Sequence, residues 1–136
     1  MADNASDYLE QKILNMVFKG TSWTTLSNVF VAIHSASPAD TGANEVTGAG
    51  YARQSTASAD WTSPSVSGTG YATSNVNAIS FTIPASFGGS QIVGVSVWDA
   101  STAGNCLYSG DLTAPKAVNP SDTFRFDPSN LTITLK

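Results

Sequence analysis

Apolar residues recur at helical spacing in one segment of this chain. From Asn4 to Lys19, Leu9, Ile13, Met16 and Val17 fall on one face and Leu14 and Phe18 widen it, which predicts an amphipathic helix. Asn4 or Ser6 offers a side-chain oxygen to cap its start, Asp7 and Glu10 suit the first turn, Lys19 suits the last, and Gly20 stops it. A helix this short gains little from propensity alone, so its broad apolar face must lie on the rest of the domain or on another subunit.

Beyond Gly20 the period changes from helical to strand-like. Short runs of β-branched and aromatic residues alternate with clusters of Gly, Pro, Asn and Ser. Strands are expected at Val29 to Ser35, Tyr51 to Ser58, Ile79 to Ile83, Gln91 to Trp98, Cys106 to Leu112, Thr123 to Asp127 and Leu131 to Lys136. The last alternates cleanly, with Leu131, Ile133 and Leu135 set against Thr132, Thr134 and Lys136. Ile92, Val93, Val95, Val97 and Trp98 leave few polar positions except Ser96, the mark of a central strand covered on both faces. Ser35 to Gly50 and Asp60 to Asn77 read as long loops. The fold class is therefore mainly β, an antiparallel β-sandwich or a jelly-roll-like barrel with one N-terminal α-helix. Residues 1–20 form a helical arm and residues 21–136 a single β domain.

Composition narrows the function classes. Charged residues are 12% of the 136, about half the usual share near 25%, and hydroxyl, amide and small residues fill their places. Such a surface packs against neighbouring copies with little desolvation of charge. The net charge is −4 and the six basic residues are scattered, so no phosphate-binding stripe forms and nucleic acid is not an expected partner. The acidic, polar N-terminus does not resemble a signal peptide, the apolar runs are too short to span a membrane, and Cys106 has no second cysteine to pair with.

The catalytic inventory is thin. His34, the one histidine, lies in an expected strand next to Ser35 and near Asp40; adjacent strand residues point to opposite faces, so a half-buried or rim histidine bonded to backbone is the expectation. Cys106 reads as a packed small hydrophobe. One His and one Cys do not supply the usual ligand set for zinc. Asp40, Asn44 and Glu45 could be drawn as a calcium site, but their spacing is not that of an EF-hand, and carboxylates at such turns ordinarily bond the local backbone. No catalytic, cofactor or metal residues are assigned. The aromatics, Trp23 and Trp61 among them, read as core and interface anchors rather than as a stacking platform.

Two dense segments carry a resemblance. SPADTGANEVTGAGYARQS, Ser37 to Ser55, and IVGVSVWDASTAGNCLYSGDL, Ile92 to Leu112, resemble a family of small phage structural proteins whose members are called tail fibre proteins, with similar small proteins serving as capsid decoration or cement. In that pattern the Asp40-Thr41-Gly42 and Glu45-Val46 pieces make tight turns that deliver Tyr51-Ala52-Arg53 into a strand. Arg53 is then the fork best placed to clamp a carboxylate, within the subunit or across an interface. Trp98-Asp99 ends a strand, and Gly104-Asn105 turns into the next to make a hairpin.

The resemblance implies a virion protein, assembled in the host cytoplasm and acting without catalysis. A free-standing domain this size suits a decoration or cement protein that stabilises the shell, self-associating as a homotrimer and contacting the major capsid protein. The expected interface residues are Leu9, Ile13, Val17, Arg53, Trp61 and Trp23. A tail fibre or tail-associated receptor- or carbohydrate-binding module is the alternative.

Overall fold

A computed structural model of the chain describes residues 4–136. It is mainly β and antiparallel, with one α-helix among the described residues. Its architecture is sandwich-like, without the closed barrel that the sequence left open.

The helix α1, Asp7–Lys19, begins at Ser6, whose hydroxyl accepts the Leu9 N–H, and ends at Gly20 in the left-handed conformation. Ten strands accompany it: β1 (Asn4–Ala5), β2 (Asn28–His34), β3 (Gln54–Ala57), β4 (Ser65–Ser67), β5 (Gly70–Ser74), β6 (Ile79–Thr82), β7 (Gln91–Trp98), β8 (Cys106–Ala117), β9 (Thr123–Phe126) and β10 (Thr132–Leu135). The main sheet runs β1-β8-β7-β2-β3, a second runs β10-β5-β4, and β6 pairs with β9. β7 is central in the main sheet, as a run with Ser96 as its one polar side chain between Ile92 and Trp98 requires.

Period-2 alternation gives the main sheet two different faces. Val31 and Ile33 of β2 and Val95 and Val97 of β7 point to the core that the sheets share with Ile79, Phe81, Phe124, Phe126, Leu131 and Ile133. The rings of Phe124 and Phe126 meet edge to face at 5.0 Å there. Phe30, Ala32 and His34 point the other way, beside Ser96 and Trp98. The segment from Ser35 to Gly50 folds back over this second face and covers it.

The sequence expectations need five corrections. Asn4 and Ala5, expected at the start of the helix, form β1 against β8, and the helix begins at Asp7. The stretch from Asp60 to Asn77 contains the β4–β5 hairpin rather than one long loop. β3 is shorter than expected, because Tyr51 and Arg53 turn inward before the ladder starts. β8 runs on to Ala117, resuming its pairing with β7 past an irregularity opposite Val93. His34 has no exposed surface at all, where a half-buried or rim position was expected.

Candidate functional site

The polar side chains with chemical potential converge beneath the Ser35–Gly50 segment. Glu45 is held beside β2 by a bridge to His34, and its carboxylate receives a two-pronged pair from Arg53: Nε to Oε1 at 2.9 Å and Nη2 to Oε2 at 2.7 Å. Tyr51 donates to the same carboxylate at 3.1 Å while its hydroxyl accepts the Ile33 N–H at 3.2 Å. The remaining nitrogen of the fork, Arg53 Nη1, donates to the carbonyls of Ala100 and Ala103 in the β7–β8 turn, at 3.0 and 2.8 Å. The guanidinium carbon lies over the Trp98 ring, 3.7 Å from its centroid. One side chain, 8% exposed, therefore ties the covering segment to the turn that ends the central strand.

Behind this clamp runs a buried chain of hydrogen bonds. The Trp98 indole N–H donates to Ser96 Oγ at 2.7 Å, and Ser96 Oγ lies 2.6 Å from His34 Nε2. His34 Nδ1 lies 2.7 Å from the Ala43 carbonyl, which can only accept. A proton then sits on Nδ1, and in the neutral ring Nε2 accepts from the serine. Burial depresses the His34 pKa below its ordinary value, against the upward pull of the Ala43 bond. Ser96 and His34 make the hydrogen bond of a nucleophile and base, yet both have zero exposure, so the pair serves the interior.

The other candidates are dispersed. Asp40 accepts the Asp7 N–H at the start of α1, at 2.9 Å, Asn44 donates to the Ser37 carbonyl, and Glu45 belongs to Arg53, so the three do not converge on a common point. Cys106 is buried with its thiol pushed up to about 12, chiefly by loss of solvent. Asp60 sits at the surface with its carboxyl held below the usual range by the Ala57 N–H and the Asn77 amide. Among the described residues no helix is long and apolar enough to cross a membrane.

Of the expected interface residues, Arg53 spends its donors inside the chain and Leu9 is buried within it. Ile13, Trp23 and Trp61 are half-buried against the core, and the Trp61 indole donates to Thr56 at 3.0 Å. Val17 stands in solvent, 62% exposed. Beside it lie Leu14 and Phe18, part of the helix face expected to meet the domain or another subunit, and across a groove lie Tyr71, one of the aromatics read as core and interface anchors, and Leu135, which was read only as a strand residue. Their helical spacing was visible for Leu14 and Phe18; Tyr71 lay in a segment read as loop.

The family model described as Podophage GP4 fiber I protein gp80 matches residues 4–134. The chain belongs to the Podophage GP4 fiber I protein gp80 family. It is therefore a phage virion structural protein of fibre type. A search of curated proteins gives no match. In this gp80-family chain the two segments that carried the resemblance are the two halves of the clamp: Ser37 to Ser55 supplies Glu45, Tyr51 and Arg53, and Ile92 to Leu112 supplies Ser96, Trp98 and the acceptor turn.

Proposed function

We propose that this chain is a building block of a phage tail fibre, a non-catalytic β unit assembled as a homotrimer and attached to neighbouring virion proteins through buried surface. The family match over residues 4–134 carries this reading, because its description is that of a fibre protein rather than of a shell-decoration protein. The interior supports it. The groups that could do acid–base or nucleophilic work, His34, Ser96, Arg53 and Glu45, bond one another or the backbone, and His34 to Ser96 and Arg53 to the Ala100 and Ala103 carbonyls join segments far apart in sequence. That use of polar chemistry stiffens a scaffold and holds loops in one shape, which suits a particle component that must keep its form outside the cell. The low charge of the chain fits close packing among copies.

The test is antibody labelling of purified particles under the electron microscope. Label confined to the tail region supports the fibre reading. Label spread over the shell would return the chain to the decoration role, and particles without label would end both.

A further inference from the structure

The Ser35–Gly50 segment covers the second face of the main sheet, yet little apolar packing holds its first half. From Ala36 to Glu45 only Pro38 and Gly42 are buried, seated against Gly94 and against the Trp98 ring. Ala39 stands in the left-handed region at φ 48°, which strains this stretch further. What fastens it is polar: Asp40 accepts the Asp7 N–H, the Ala39 carbonyl accepts the Ser109 hydroxyl, Arg53 holds Glu45, and the His34 ring holds the Ala43 carbonyl. A segment with few buried apolar contacts opens at a lower cost than the core beneath it.

Among these fasteners His34 is the one that mild acid undoes. A second proton would place an N–H on Nε2, 2.6 Å from Ser96 Oγ, which already receives the Trp98 indole N–H; the serine would then face two donors and have to turn its own proton away. The new charge would also lie on a ring with no exposed surface. The charged and titratable groups around the ring are Asp40 and Glu45 from the cover, Asp7 behind Asp40, Tyr51 and Arg53 from the chain that follows, and Cys106 and Asp111 from the same face of β8; β7 carries none. Glu45 favours the charged ring and Arg53 opposes it, and because the two are held together as a pair their pulls offset. Tyr51 is pushed up and Cys106 is pushed up to about 12, so neither takes a charge in acid. We propose that protonation of His34 releases the Ser35–Glu45 cover while the β core stays folded, which makes this segment an acid-opened flap over Ala32, Trp98 and Cys106. The closed ring refuses a proton that the open, wetted ring accepts at its ordinary 6.5, so each fall in pH below that value favours the open form.

Hydrogen exchange of the full chain, followed by NMR and expressed as protection factors, tests this at about pH 6 and about pH 5, with and without about 1 M urea. The amides of Ser35 and Ala43, whose bonds to the Asn44 and Pro38 carbonyls hold the cover in shape, should lose protection about tenfold per pH unit, the slope of one proton. That protection should not respond to urea, because lifting a flap exposes little surface, while amides of the β2–β7 ladder stay better protected and do respond. His34→Gln keeps every carboxylate and should abolish the slope. Protection that is flat with pH, a slope that survives His34→Gln, or cover amides that follow the ladder in urea, so that cover and core open together, would overturn the inference. Should the variant not fold, the ring nitrogen signals of the chain's single histidine decide the matter in the wild type. They should remain those of a neutral ring at about pH 5 while the cover is closed; a charged ring beneath a still-protected cover would refute the release.

Discussion

Replacing Arg53 by alanine tests the clamp most severely. The substitution removes a two-pronged pair with Glu45, two bonds to the Ala100 and Ala103 carbonyls, and the contact with the Trp98 face. Breaking a buried ion pair from one side ordinarily costs about 3 to 5 kcal/mol, because the remaining charge keeps its burial and loses its partner. Glu45 is 20% exposed, so water relieves part of that penalty and the lower end applies, about 3 kcal/mol. For a domain of this size that is a fall of roughly 10 to 15 °C in Tm, read by circular dichroism or calorimetry. A double-mutant cycle with Glu45→Leu isolates the pair: the double variant should lose much less than the sum of the single losses, since it leaves no orphaned charge. A Tm within about 3 °C of wild type for Arg53→Ala, or strict additivity in the cycle, would show that the clamp does not hold the covering segment.

Three further perturbations follow. Ser96→Ala strips the Trp98 indole and His34 Nε2 of their partner and should cost about 2 to 4 kcal/mol in urea unfolding, with the slope on denaturant unchanged. Gly42→Ala places a methyl 2.3 Å from the Trp98 ring at a backbone angle φ of +72°, and should destabilise by about 2 to 4 kcal/mol in the same assay. The His34 pKa is depressed in the fold, so below its ordinary 6.5 the unfolded chain takes up a proton that the folded chain refuses. Stability is thus full above that value and should fall as pH drops from 7 towards 5, and His34→Gln should flatten this part of the Tm–pH curve.

The sequence made the helix and the central strand legible because both obey simple rules. Ser6 and Gly20 bracket α1 by capping chemistry, and the run from Ile92 to Trp98 has no face free for water. The β4–β5 hairpin escaped notice for a physical reason. Its large side chains, Val66 and Tyr71, lie on the sheet face that carries Ile133 but past the end of the core, where they stay exposed, and Gly, Ser, Thr and Ala fill the other positions, so the hairpin has no run of buried apolar residues to announce it. The clamp was half legible. Arg53 was identifiable as a fork for a carboxylate, and Glu45 stands only eight residues away, but the acceptor carbonyls at Ala100 and Ala103 are supplied by a turn about fifty residues on. The same distance problem hid the burial of His34, whose partner Ser96 lies 62 residues away on the neighbouring strand. Local pattern predicts the strand; tertiary pairing decides what its polar side chain meets.

The most direct examination of the account is a localised reconstruction of the tail of the intact particle, into which this fold is docked. The account predicts density at a fibre that accepts the β sandwich in several copies around an axis. Density for the chain on the capsid shell, or fibres built from it as isolated single copies, would contradict it.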